Sequence, residues 1–108
     1  MTFYEAAFGA TVLLRVGEGD DIVAQLAVDD AVFWVSAASE GGPRFSPAAI
    51  GGTTGRTLLV VEDPDAFAAR AVAAGATELA AVGDEHGWRL GRIEDPFGHE
   101  WEIGRPLA

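Results

Sequence analysis

The chain repeats itself. Ala7-Phe8-Gly9-Ala10-Thr11 returns as Ala73-Ala74-Gly75-Ala76-Thr77, an offset of 66 (73 − 7), and the turn at Asp29 returns at Asp95 with the same offset. Similarity at a fixed spacing marks one supersecondary unit used twice. In both copies the residues before the glycine read as a helix. Thr2 with Glu5 three residues later is a capping-box pattern, so the first helix begins at Phe3 and stops at Gly9. Asp63 caps the second, with Pro64 at its first position, Phe67, Ala71, Val72 and Ala74 on the inner face, and Gly75 as its stop. Three short strands with tight turns follow each helix: 10–16, 22–28 and 31–37, then 77–82, 87–93 and 98–104.

The second unit has one more strand, 56–62, ahead of its helix. Subtracting 66 places its counterpart before residue 1, so the repeat predicts that this chain lacks the first strand, and the start of the first helix, of a complete βαβββ pair. The expected fold class is α+β with paired βαβββ modules, the first truncated at its N-terminus. A length of 108 residues suits one core, so 1–108 is expected to be one domain. Residues 1–37 form the incomplete first module, 38–55 a linker and 56–108 the second module. The linker, rich in Gly, Ser, Thr and Pro without a sustained period, is expected to be a mobile connection, and its Arg44 and Phe45 are candidates for a flap.

Charge and cysteine content remove several functions. Seventeen Asp and Glu oppose seven Arg, with no Lys, for a net charge of −10. Such a field repels phosphate backbones and anionic membranes, so neither nucleic acid nor membrane is an expected partner. Without cysteine there can be no disulfide, Cys-ligated zinc, iron–sulfur cluster or thiol nucleophile. No apolar run approaches a spanning length and no signal pattern opens the chain, so a cytoplasmic location is expected.

Four stretches, F-Y-E-A-A-F-G-A (3–10), S-P-A-A-I-G-G-T (46–53), V-E-D-P-D-A-F-A-A-R-A-V-A-A-G-A (61–76) and D-P-F-G-H-E-W-E-I (95–103), run in the order found in the vicinal oxygen chelate superfamily. The chain resembles that group of glyoxalase, bleomycin-resistance and extradiol dioxygenase proteins over essentially its whole length. The resemblance implies two modules whose sheets curl into an open cup around the ligand. It also implies, in metal-dependent members, ligands on the first and last strand of each module. Carried over, only Glu102 matches. Arg56, Thr57 or Leu58 stands where a histidine would be, Phe33 or Trp34 stands in place of the other glutamate, and the fourth position falls on the absent strand.

A metal that activates water needs about three convergent protein ligands. H-E-W-E, residues 99–102, is not a local metal motif, because a period of two puts Glu100 and Glu102 on one face and His99, Trp101 and Ile103 on the other. His99 is expected as a turn residue, Glu100 as a rim charge, and Glu102 as the one candidate catalytic group. Pairing of Glu102 with Arg56 or Arg89 would make it a poor base. Candidate ligand-binding residues are Trp34, Arg56, His86, Trp88 and Arg89, the middle one, His86, from a loop that the resemblance sets at the cup mouth. The acidic turn Glu18 to Asp21 lacks the spacing of a calcium loop.

These readings converge on a protein that binds a small organic ligand, aromatic or otherwise apolar, without a complete metal site. No cofactor is expected, and a divalent metal is the minor alternative. A lyase, isomerase or dioxygenase using Glu102 is the enzymatic alternative, and a degenerate structural or interaction subunit is the third. The open sheet edge left by the absent strand suggests a homodimer, with exchanged strands as one form.

Overall fold

A computed structural model describes residues 2–38 and 45–108. The helices are α1 (Thr2–Phe8), α2 (Pro47–Ile50) and α3 (Pro64–Ala73). The strands are β1 (Thr11–Val16), β2 (Val23–Val28), β3 (Ala31–Ser36), β4 (Arg56–Val60), β5 (Thr77–Glu85), β6 (Trp88–Glu94) and β7 (Glu100–Pro106). They form a three-stranded sheet ordered β1-β2-β3 and a four-stranded sheet ordered β4-β7-β6-β5. The class is α+β, as the repeat predicts. β4 runs parallel to β7, from Arg56 opposite Glu100 to Val60 opposite Gly104, and every other pairing is antiparallel. In the first sheet β3 stands at the edge.

The repeated glycines do the same work twice. Gly9 and Gly75 both leave their helices at positive φ, +65° and +121°, where a side chain is strained. α1 ends against α3: the Arg70 guanidinium donates from Nε to the carbonyl of Ala6 at 2.8 Å, placing a cation on helix-terminal carbonyls that have no partner within the helix. The two modules thus meet through their helices.

Period-two burial builds the core between the helices and both sheets. Ala24, Leu26 and Val28 of β2 are buried, as are Leu59 of β4, Val61 just after it, Ile93 of β6, and Trp101 and Ile103 of β7; all of these but Ala24 pack with Phe3, Tyr4, Ala7 and Phe8 of α1. Phe67, Ala71 and Ala74 of α3 face the core, but Val72 is 41% exposed, contrary to the inner-face expectation. It lies about 100° around the helix from Ala71, outside the stripe at spacings of four and three. β5 runs on to Glu85, past Val82, across two irregularities in its register with β6.

One buried polar group ties the aromatic core together. The Asp95 carboxylate, 3% exposed, accepts from the Tyr4 hydroxyl at 2.5 Å and from Trp101 Nε1 at 3.0 Å on one oxygen. Its other oxygen accepts from the backbone N–H groups of Phe97 at 2.9 Å and His99 at 3.0 Å. Four donors satisfy a charge that would otherwise be costly to bury.

The linker is more ordered at its far end than its composition suggests. Ser46 Oγ caps α2 by accepting from the N–H of Ala49 at 3.2 Å, Pro47 starts the helix, and Gly51 ends it at φ +82°. The N–H of Ala48 then donates to the carbonyl of Phe97 at 2.8 Å, fastening α2 to the turn before β7. At Gly98, φ +90°, an added Cβ would lie 2.5 Å from the nitrogen of Ala48 and 3.0 Å from the carbonyl carbon of Pro47. Arg44, half of the flap expectation, lies outside the described residues. Among those described, no helix is long and apolar enough to cross a membrane.

Asp95→Ala should cost about 3–5 kcal/mol in urea denaturation, because it strands several buried donors, and Tyr4→Phe about 1 kcal/mol. Burial first, and the Asp95 carboxylate second, push the Tyr4 phenol far above its ordinary value of about 10. The unfolded chain releases that proton near pH 10 while the folded chain keeps it. The contribution of Tyr4 is therefore complete below pH ~10 and is lost as pH rises further. Tyr4 is the sole tyrosine, so tyrosinate absorbance reads it directly: signal should appear near pH 10 in denaturant and only at higher pH, with unfolding, in its absence. Gly98→Ala should cost about 1–3 kcal/mol by thermal melting and speed hydrogen exchange at Ala48.

Candidate functional site

Two cavities adjoin where β3, the α2 segment and the D-P-F-G turn come together. The larger, about 750 Å³, is lined by the rings of Tyr4 from α1, Trp34 from β3, Phe45 ahead of α2, and Phe97 and His99 from the turn, together with aliphatic residues such as Ile22, Ala24 and Val35. Its volume falls in the range of small-molecule sites. The tyrosine hydroxyl is held by Asp95, so Tyr4 offers the cavity its ring. The smaller, about 320 Å³, is more polar. Thr53, Arg56, Thr57 and Glu100 line it, together with Trp34 and His99, which serve both cavities.

Local structure explains why these side chains are available. In β3, Phe33 and Val35 pack on the core, so Trp34 between them must turn outward, and it is 54% exposed. In β7, Trp101 and Ile103 are buried, which puts Glu100 and Glu102 on the opposite face. Arg56 shares that face: its Nε lies 3.5 Å from Glu102 Oε1, with about half of the arginine side chain exposed.

The sequence-based candidates separate into two groups. Trp34 and Arg56 meet at the smaller cavity. His86 sits exposed in the β5–β6 hairpin at φ +51° and lines neither cavity. Trp88 starts β6 opposite Pro106, at the far end of the strand from Arg92, which pairs with Glu102. Arg89 points to the helix side, where Asp65 of α3 takes it through two 2.7 Å contacts and Asp84 through one of 2.9 Å. These bonds hold the Asp65 carboxyl below its usual range and raise the guanidinium further. Of the two arginines considered for Glu102, Arg56 is the partner and Arg89 is a brace between α3 and the hairpin.

His99, expected only as a turn residue, also lines both cavities. Its backbone does make the turn, donating to Asp95 and accepting from the N–H of Asp95 at 2.9 Å. The period-two argument assigned its side chain to the core face, but β7 begins only at Glu100, so strand parity does not reach it. Phe97 and Ser46 are further lining residues that a strand-and-helix reading passes over.

Metal-dependent proteins with this arrangement of modules would need converging ligands. Among the described residues, no group of three or more His, Asp or Glu side chains could hold a metal ion, and the carboxylate at the matching position, Glu102, faces Arg56. Among the described residues the donor set does not converge as a metal site would require.

Comparison with known proteins agrees with the fold. Residues 1–103 match the Glyoxalase/Bleomycin resistance protein/Dioxygenase superfamily. The chain is 38% identical, over 97% of its length, to protein Mb0911c of Mycobacterium bovis and to protein Rv0887c of Mycobacterium tuberculosis. It spans 73% of the first and 65% of the second. The crystal structure of TioX from Micromonospora sp. ML1 superposes with a TM-score of 0.72 at 28% identity, over 99% of this chain and 85% of that one. TnmS3 of Streptomyces sp. CB03234, an antibiotic-binding protein, does so with a TM-score of 0.69 at 22% identity, over 96% of this chain and 81% of that one. The repeated modules, the parallel first strand of the second module and the family match together place the chain in the glyoxalase/bleomycin resistance protein/dioxygenase superfamily.

Proposed function

We propose that the chain is a small-molecule-binding protein that holds a flat, apolar guest in the larger cavity. The observation that carries this reading is the set of rings around that space, with Trp34 half exposed at a position the resemblance reserves for a metal-ligating glutamate. Aromatic side chains bury much area and stack on planar guests. Binding by contact rather than chelation also suits the donor set, and the antibiotic-binding role of TnmS3 offers a precedent on the same fold. Whole-protein activity could add to this, since the mycobacterial relatives are longer. We further propose that the chain works as a homodimer. Leu14, Val16 and Val32 stand outward on the open face of the first sheet, an apolar surface of the kind that subunit contacts cover.

Titration with 2-naphthalenemethanol should raise the melting temperature, since a ligand at 100 times its Kd stabilises the native state by about 2.7 kcal/mol. Trp34→Ala should weaken binding about tenfold or more while leaving the unliganded melting temperature nearly unchanged, as the side chain is not in the core. If neither this probe nor a wider aromatic panel shifts the melt, the binding reading is wrong. Stoichiometric nickel, zinc, iron or manganese that Glu102→Ala removes would favour the enzymatic alternative. A monodisperse monomer in light scattering would refute the dimer.

A further inference from the structure

The smaller cavity has a chemistry that an apolar guest leaves unused. Arg56 has one contact among the described residues, Nε to Glu102 at 3.5 Å. A formed charge-assisted pair closes to about 2.7–2.9 Å, as Arg89 does with Asp65 at 2.7 Å. Arg70 is engaged by the carbonyls of α1. Arg56 therefore presents a guanidinium whose terminal nitrogens are uncommitted among the described residues, beside the hydroxyl-bearing Thr53 and Thr57 and the imidazole of His99. Its planar fork matches a carboxylate, which accepts two parallel hydrogen bonds.

The two cavities lie side by side, with Trp34 and His99 in the walls of both, close enough for one ligand to reach from one to the other. Building on the binding reading above, we propose that the natural ligand is an aromatic carboxylate. Its ring lies among Tyr4, Trp34, Phe45 and Phe97, and its carboxylate sits on Arg56 in the smaller cavity. Glu100 and Glu102 share the face with Arg56, so their field opposes an added anion and a carboxylate is held only through direct hydrogen bonds to the guanidinium. Long-range attraction cannot supply the preference, since the net charge of −10 repels anions. Discrimination has to come from contact with Arg56, on the strand where the resemblance sets a metal ligand at Arg56, Thr57 or Leu58.

Three probes of one shape separate the possibilities in isothermal titration calorimetry with the full chain: 2-naphthoate, 2-naphthalenemethanol and 2-naphthylmethylammonium. The expected result is that 2-naphthoate binds at least tenfold more tightly than the alcohol. In Arg56→Gln the ratio of the two should fall to about one. Arg56→Lys, which keeps the charge without the fork, should restore only part of it, and Glu102→Gln should increase it by freeing the arginine. An ammonium probe that binds most tightly, or a 2-naphthoate advantage that survives Arg56→Gln, overturns the proposal. Equal binding of all three overturns the carboxylate assignment and leaves the aromatic cavity standing; no binding by any of them removes both.

Discussion

The carboxylate of Asp95 is the interaction on which the remainder of the molecule depends. It is buried and saturated by four donors, two from side chains far apart in sequence and two from the backbone of its own turn. Through the Tyr4 hydroxyl it holds α1 of the first module, and through the Trp101 indole it holds β7 of the second. The rings so fixed pack edge to face: Tyr4 and Trp101 with centroids 5.8 Å apart, Phe33 and Trp101 5.4 Å apart, Phe8 and Trp101 5.0 Å apart. Removing a charge with this many partners leaves unpaired polar groups inside an apolar cluster, the costliest arrangement a core can hold.

The same group shapes the site. Its bonds to Phe97 and His99 set the D-P-F-G turn, and that turn supplies two walls of the larger cavity. Stability and the shape of the cavity are therefore joined at one residue. Tyr4 stands at the same junction: its hydroxyl is held by Asp95 and its ring packs in the core, while the residue borders the cavity.

Much of this was legible in the residues themselves. The 66-residue repeat carried the helix exits at Gly9 and Gly75 and the two meanders, because helix stops and tight turns depend on local chemistry. That Trp34 and Arg56 stand near one another was legible through the resemblance, which pairs positions across modules. Contacts that depend on long-range geometry were not. Nothing near Arg89 in sequence announces Asp65, twenty-four residues away on another element. The role of Asp95 was hidden because D-P-F-G reads fully as a turn, and a turn aspartate is ordinarily exposed. The short helix after Ser46 carries a good cap and a leading proline, but four residues cannot display a period.

The way α2 is hung on the molecule has a consequence for how such a binder diversifies. It is fastened by a backbone N–H to a backbone carbonyl and seated against a glycine with no Cβ, so the attachment is indifferent to the side chains that α2 carries. Phe45, which lines the cavity just ahead of it, can thus vary independently of the anchor, whereas Ser46 is held by its role as the cap of α2. The shape of the cavity is therefore open to change at Phe45 with Gly98 and the core beneath unchanged, which separates the remodelling of that wall from the cost of refolding.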